Sequence, residues 1–505
     1  MTFLKLAACI TSASLLMACG GGGGSSSSTP TTSAPAINLE KAQDVLETNA
    51  DIALAAYTDS VETAKALKTA LVAFQVEANK ADGDRDDTVA ANLLNAAKKA
   101  WLVSREPYGQ TEVYRFRNSP VDELDVEGDL NAWPLGEALI DYVNTGNDGD
   151  DFDNKQIGVT EHGVGTDISA VIDVTNASDK AANTNTIIGN TNIVINDALL
   201  AKGLSAEDEH DVLSGYHAIE FLLWGQDLNN DAETTTKFNR ENAVKTEAVK
   251  TATDPVNTFA TGGQRPLTDF TTDTNAERRH QYLAIVVDKL IADLEMVQAE
   301  WAEGSTTNYR AKFTTIADAA DAKQKLTEIL TGMGTLSVGE LAGERMQIAF
   351  SNNSQEDEHS CFSDNTHRDI WLNAEGVSNS FYGTYAGYDS NLDGIDDVAT
   401  NAVDGYGIND YLTEVGLTGI VAETTSALAL TEDNYNLIDA SARNGVPFDV
   451  LIMTLSETSP VALTIKSLSA QSRAIQKAAD QLGLGGVIDE DASSCNSQNP
   501  TSTCE

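Results

Sequence analysis

Apolar residues recur at three- and four-residue spacings over long stretches of this chain. Val461, Ile465, Leu468, Ile475, Ala479 and Leu482 fall on one stripe, and Ser459-Pro460 ahead of them supplies a cap and a first-turn proline. Tyr57, Val61, Ala64, Leu67, Leu71 and Phe74 make a second stripe. Leu283, Val287, Leu290, Leu294, Val297 and Trp301 make a third. Strand-like alternation is rare and short. The pattern predicts an all-α fold built from helical bundles.

The pattern fades over residues 228–275, where large apolar side chains are few. This segment is expected to join two helical-bundle domains, 37–227 and 276–485, with a polar tail at 486–505. A remote duplication is compatible with the two halves, although no sequence repeat demonstrates one.

The chain starts with "MTFLKLAACITSASLLMAC". Lys5 gives a short basic region, and Leu6 to Met17 give an apolar stretch too short to span a bilayer as a stable helix. Leu-Leu-Met-Ala before Cys19 resembles a bacterial lipobox. Residues 1–19 are therefore expected to be a lipoprotein signal peptide with Cys19 lipidated, the alternative being an ordinary signal peptide. Residues 20–36, rich in Gly, Ser, Thr and Pro, form a flexible tether. Gly20 in place of Asp after the lipidated cysteine favours the outer membrane, by analogy with lipoprotein sorting. No other long apolar run follows, so the lipid would be the only membrane anchor.

Acids outnumber bases 77 to 32 among 505 residues, a formal charge of −45. That excludes a nucleic-acid binder, whose footprint is basic. Few cysteines remain after Cys19. Cys495 and Cys504 are close enough in the chain to form a disulfide in an oxidising compartment, which leaves Cys361 over. One acid-rich loop, "NDGDDFDN", follows Gly146. In another, Asp389, Asn391 and Asp393 alternate ahead of Gly394 and Asp397, like the first nine positions of a calcium loop. Thr400 stands where that loop needs a bidentate Glu, and a polar turn reads equally well.

The candidate chemistry lies in "GYHAIEFLLWGQD". His217 and Glu220 share one helix face inside an apolar run. A buried carboxylate needs a counter-charge, a hydrogen bond or a metal. Spacing alone leaves two readings: a His–Glu pair satisfied inside a bundle, or a ligand site related to the Glu-x-x-His pairs of di-iron bundles. No HExxH is present, and His-x-x-Glu supplies at most two of the three protein ligands usual for catalytic zinc. No phosphate loop, dinucleotide fingerprint or haem-attachment motif occurs.

The same stretch resembles the Gly-x-His-x-x-Glu signature of the imelysin-like family, which includes imelysin peptidases and iron-regulated protein A relatives. "AWLVSREPYGQTEVYRF", "GDLNAWPLGEALIDYV" and "GERMQIAFSNNSQEDEHSCFSDNTHRDI" are similar to further blocks of that family, and the likeness runs from about Val45 to Leu482. It implies an all-α, two-domain envelope lipoprotein with the motif near the domain interface. It further implies a role in iron acquisition, with a metal ion or metal complex as ligand and outer-membrane iron-uptake proteins as partners. The family's other label is a zinc-dependent peptidase. A third alternative is a scaffold with no metal.

By the resemblance, His217, Glu220 and Glu112 are the candidate ligands for iron or zinc. Two acids found in ferric-binding relatives are replaced here by Gly109 and Asn131. Arg105 is expected to pair with Glu220 or a neighbouring acid, and Glu137, on the same side as Asp141, to add a carboxylate. The second-half run contributes Glu356, Asp357, Glu358, His359, Asp364, His367 and Asp369. Ser363 or Asp364 reads as a helix cap, whereas Glu358 and His359 are expected to face His217. Cys361 between His359 and His367 also fits a thiol-and-base pair, although a buried structural cysteine is the commoner case.

Overall fold

All three stripes are buried. Every residue named on them is at most 7% exposed, and most are at 0–2%. The computed structural model describes residues 34–142, 161–162, 166–167, 186–201, 212–227, 262–263, 265–355, 357–486, 488 and 495–504. The expected signal peptide with Cys19, most of the expected tether, the "NDGDDFDN" loop, Glu356 and most of the 228–275 segment lie outside these residues.

The long helices are α1 (Leu39–Ala78), α2 (Asp87–Gly109), α3 (Gly215–Trp224), α4 (Ala276–Trp301), α5 (Ala319–Thr335), α6 (Thr366–Tyr382), α7 (Thr418–Arg443) and α8 (Pro460–Leu482). A π-helical segment, Leu336–Gln347, continues α5. Strand structure among the described residues is confined to two-residue antiparallel pairs, 161–162 with 166–167 and 384–385 with 403–404. The fold is all-α.

Local chemistry sets the helix ends. Asp86 accepts hydrogen bonds from the Thr88 and Val89 amides at the start of α2. Ser459 caps α8 ahead of Pro460, and Gly483 in the left-handed region (φ +71°) stops it.

Residues Pro35–Glu505 form one compact unit. Helix α1 packs along α2 and α4, and α3 lies against α2 and α4. Helix α8 packs along α7 and the π-helical segment, and α6 lies against α2, α7 and the π-helical segment. One core cluster draws on both sequence halves, from Ala42 to Leu482. A second, from Leu341 to Leu468, is made only of second-half residues. The core therefore has no break at the 228–275 segment, and the halves meet through α1–α4 and α2–α6 contacts.

Candidate functional site

All ten residues of α3 are buried, so its two titratable groups have no solvent to face. Its entry requires glycine. Gly215 sits at φ +90°, and a Cβ there would lie 2.6 Å from the Leu130 carbonyl oxygen. The motif glycine thus has a packing reason: the chain around 129–130 runs directly against the start of α3.

His217 and Glu220 bond to each other. His217 Nδ1 is 2.8 Å from Glu220 Oε2. The other oxygen, Oε1, accepts from the Ser363 amide (2.9 Å) and hydroxyl (2.7 Å). Burial pushes the Glu220 carboxyl up to about 8 against these bonds. Burial, then His359 and Arg105, hold the His217 imidazole well below its usual range, so it is neutral. Its Nε2 is buried with no hydrogen-bond partner. Glu220 therefore orients the ring, and the atom left without a hydrogen bond is the histidine nitrogen Nε2.

A second histidine repeats the arrangement. His359 donates from Nδ1 to Asp369 Oδ2 at 2.8 Å, and its Nε2 lies 3.5 Å from the Asn131 amide nitrogen. The two rings pack edge to face with centroids 4.6 Å apart, and the Trp133 ring stands edge-on to His359 at 5.0 Å. Burial opposes ionisation of Asp369, but Arg105 and His359 outweigh it and hold the carboxyl well below its usual range. His359 itself falls to about 4 through burial and Arg345. The expected meeting of His359 with His217 is present in the geometry.

A small cavity of about 10 Å³, bounded by Trp133, His217, Glu358, His359, Cys361 and Phe362, adjoins both rings. That is room for about one water or one ion. Trp133 and Pro134 also line an outer cleft of about 420 Å³, with Glu127, Asn131, Glu340 and Asp357 on its walls.

The remaining candidates are placed differently. Glu112 accepts from Arg345 (2.9 Å), Arg115 (3.1 Å) and Asn131 (3.3 Å). Burial would raise its carboxyl, but Arg345 and then Arg115 hold it at about 2. It is an arginine partner joined to His359 only through Asn131. Arg105 pairs with Asp369, through Nε and Nη2 at 3.2 and 3.0 Å, and not with Glu220. Gly109 lies where α2 meets α6; a Cβ there would come within 2.6 Å of the Leu372 Cβ, so no acid fits. Glu137, raised to about 8 by burial against Arg265, has a buried oxygen without a hydrogen bond, and Asp141 near it binds Arg265 and Arg279. His367 turns to the Asp364 carbonyl (3.0 Å) and, on the other side, Asp439.

In the Asp389 loop the carboxylates accept backbone amides. Asp389 takes those of Asn391, Leu392 and Gly394, Asp393 takes that of Ile395, and Asp397 that of Ser390. That geometry makes a self-bonded polar turn. Cys495 and Cys504 are joined in a disulfide.

Sequence reasoning did not assign Ser363 its part as hydroxyl partner of Glu220, nor Asp369 its part as carboxylate partner of His359. Asp369 stood in the quoted acid run, but nothing in its spacing separated it from the other acids there.

This all-α protein carries two buried, carboxylate-oriented histidines between its sequence halves. The sequence profile of the imelysin family (peptidase M75) matches residues 53–482. The chain belongs to the imelysin family. Among solved structures, it is similar to one described as an iron-regulated protein A precursor from Parabacteroides distasonis, with 16% identity, TM-score 0.56, and 89% of this chain and 97% of that chain covered. It is also similar to an imelysin-like protein from Psychrobacter arcticum, with 12% identity, TM-score 0.49, and 90% and 98% covered. No curated protein matches.

Proposed function

We propose that this imelysin-family protein is a lipid-anchored envelope protein that binds a metal ion or metal complex at the His217–His359 pair, in the service of iron acquisition. The observation that carries this is the His217 Nε2 atom, buried without a hydrogen-bond partner while Glu220 and Ser363 fix the ring behind it. A buried nitrogen left in that state costs stability unless something is bound there. Imidazole suits iron, zinc and copper. The name iron-regulated protein A, borne by a relative of the same fold, favours iron.

The donor set favours binding over peptidase chemistry. A catalytic zinc usually takes three protein ligands and an open position. Among the described residues, no group of three His, Cys, Asp or Glu ligand atoms converges at His217. Two histidine nitrogens leave positions on a metal for ligands from elsewhere, and the inner cavity itself has room for about one ion. Trp133 and Pro134 stand between the small cavity and the outer cleft.

The test is elemental mass spectrometry of tag-free protein made in iron-replete cells, wild type beside His217→Ala. About one equivalent of iron or zinc, lost in the variant, supports the reading. Equal metal in both removes it. Lipidation is tested separately: Cys19→Ala should move the protein from the membrane fraction to the soluble one.

A further inference from the structure

Glu340 and Arg345 form an ion pair although they stand five residues apart, with Arg345 Nε 3.1 Å from Glu340 Oε1. In an α-helix, side chains five apart point about 140° away from each other and do not meet. They meet here because Leu336–Gln347 is π-helical and bonds amides five residues back. The π register therefore builds the pair. It also aims both side chains at the first half of the chain. Arg345 Nη2 reaches Glu112 Oε2 at 2.9 Å, and Glu340 Oε1 accepts from Arg115 at 3.3 Å. Glu340, Glu344 and Ile348 then wall the outer cleft opposite Trp133.

The π-helix is rare and occurs mostly as single turns, so twelve residues of it need support from outside. Both ends are held. At the start, Gln471 of α8 donates to the Ser337 hydroxyl at 2.9 Å, and Ser472 donates to the Gly334 carbonyl at 3.2 Å. At the far end, the Gln347 side chain is fully buried. Its amide nitrogen donates to two main-chain carbonyls of the tail, Asn499 at 3.3 Å and Ser502 at 3.1 Å. Both carbonyls lie inside the loop closed by the Cys495–Cys504 disulfide. Cys495 Sγ itself rests 3.8 Å from the Gly343 carbonyl oxygen, the acceptor of the Ile348 amide in the last five-residue bond of the segment. A tied loop has far fewer conformations to lose than a free chain end, so the disulfide presents these carbonyls to Gln347 at low entropic cost.

We propose that the disulfide-closed tail is a clasp that sets the π register of Leu336–Gln347, and through it the wall of the outer cleft. With the disulfide open, the tail lets go of Gln347, the segment falls back to the α register, and Glu340 parts from Arg345. Opening takes two electrons and two protons. The S–S bond breaks, Cys495 and Cys504 become thiols, and an external dithiol becomes a disulfide. Both cysteines are partly exposed, so such a reductant reaches them. What the change does to a ligand rests on the histidine-pair reading, because Glu112 is joined to His359 through Asn131. The register itself does not depend on that reading.

The experiment compares the purified protein oxidised, reduced with a dithiol, and as Cys495→Ser/Cys504→Ser, by hydrogen exchange and crystallography. Opening the disulfide should speed amide exchange across residues 336–352 roughly tenfold or more, with α1 and α4 unchanged. The crystal structure should show Glu340 and Arg345 apart. Gln347→Ala, with its disulfide intact, should give the same local change, and it keeps the test decisive if the cysteine variant does not fold. A disulfide that only restrains the unfolded chain predicts a lower melting point with exchange at 336–352 unchanged, and that result overturns the proposal. So does an opened protein that keeps the Glu340–Arg345 pair in the π register. Neither readout involves a ligand, so this proposal and the histidine reading fail separately.

Discussion

His217 Nδ1 meets Glu220 Oε2 at 2.8 Å, one helical turn along α3, while the far side of the same carboxylate is fixed by Ser363 from the second half of the chain. The motif is thus completed by a residue 143 positions away. Ser363→Ala removes the hydroxyl donor and leaves the amide. Glu220 is the direct partner of His217, whose loss would typically weaken binding 10–100-fold, so Ser363→Ala, one step further out with its amide bond kept, should weaken binding by less than that. Calorimetric titration with zinc or ferrous iron checks this, and unchanged affinity in Ser363→Ala would show that the Glu220 orientation is irrelevant to the ligand.

Arg105 and Asp369 are both fully buried, and the arginine also reaches Asn131. Arg105→Ala strands the Asp369 carboxylate and takes away a contact between the sequence halves. The expected cost is about 3–5 kcal/mol, read as a lower urea midpoint. Arg105→Lys should recover only part of it, since a lysine has no planar fork for Asp369 and Asn131.

Gly215→Ala should destabilise by roughly 1–3 kcal/mol, because a positive φ and a carbonyl oxygen 2.6 Å from the new Cβ both oppose it. A melting temperature equal to wild type would mean that the 129–130 segment yields freely.

How far the sequence could be read varied with the physics involved. Helical stripes such as Val61–Leu67–Phe74 depend only on local periodicity and burial, and each was legible. His217 and Glu220 were legible because both sit on one helix face. The partners were not. Ser363 and Asn131 lie far in sequence from Glu220 and His359, and only tertiary packing brings them together, while Asp369, ten residues from His359, was one acid among several in the same run. The roles of Glu112 and Gly109 depended on what stands opposite: Arg345 for one, Leu372 for the other. The halves read as separate bundles, because pattern alone cannot show that α1 packs along α4.

Glu112 gives a pH signature. Its folded carboxyl sits at about 2 against an ordinary 4.5. A depressed acid contributes stability that is complete above the unfolded value and is lost as pH falls through the folded one. Glu112→Gln should therefore be less stable than wild type at pH 7, with the gap closing between about pH 5 and about pH 2. Denaturant midpoints across that range measure it. A gap that stays constant would mean that Glu112 is not ion-paired to Arg345.

The most direct test of the central claim is calorimetric titration of metal-stripped protein with ferrous iron, zinc and a ferric citrate chelate, comparing wild type with His217→Ala and His359→Ala. Circular dichroism should confirm that the variants are folded. The account predicts one site in wild type for at least one of these ligands, with affinity reduced at least tenfold in His217→Ala and weakened in His359→Ala. A folded His217→Ala protein that binds with wild-type affinity would contradict it.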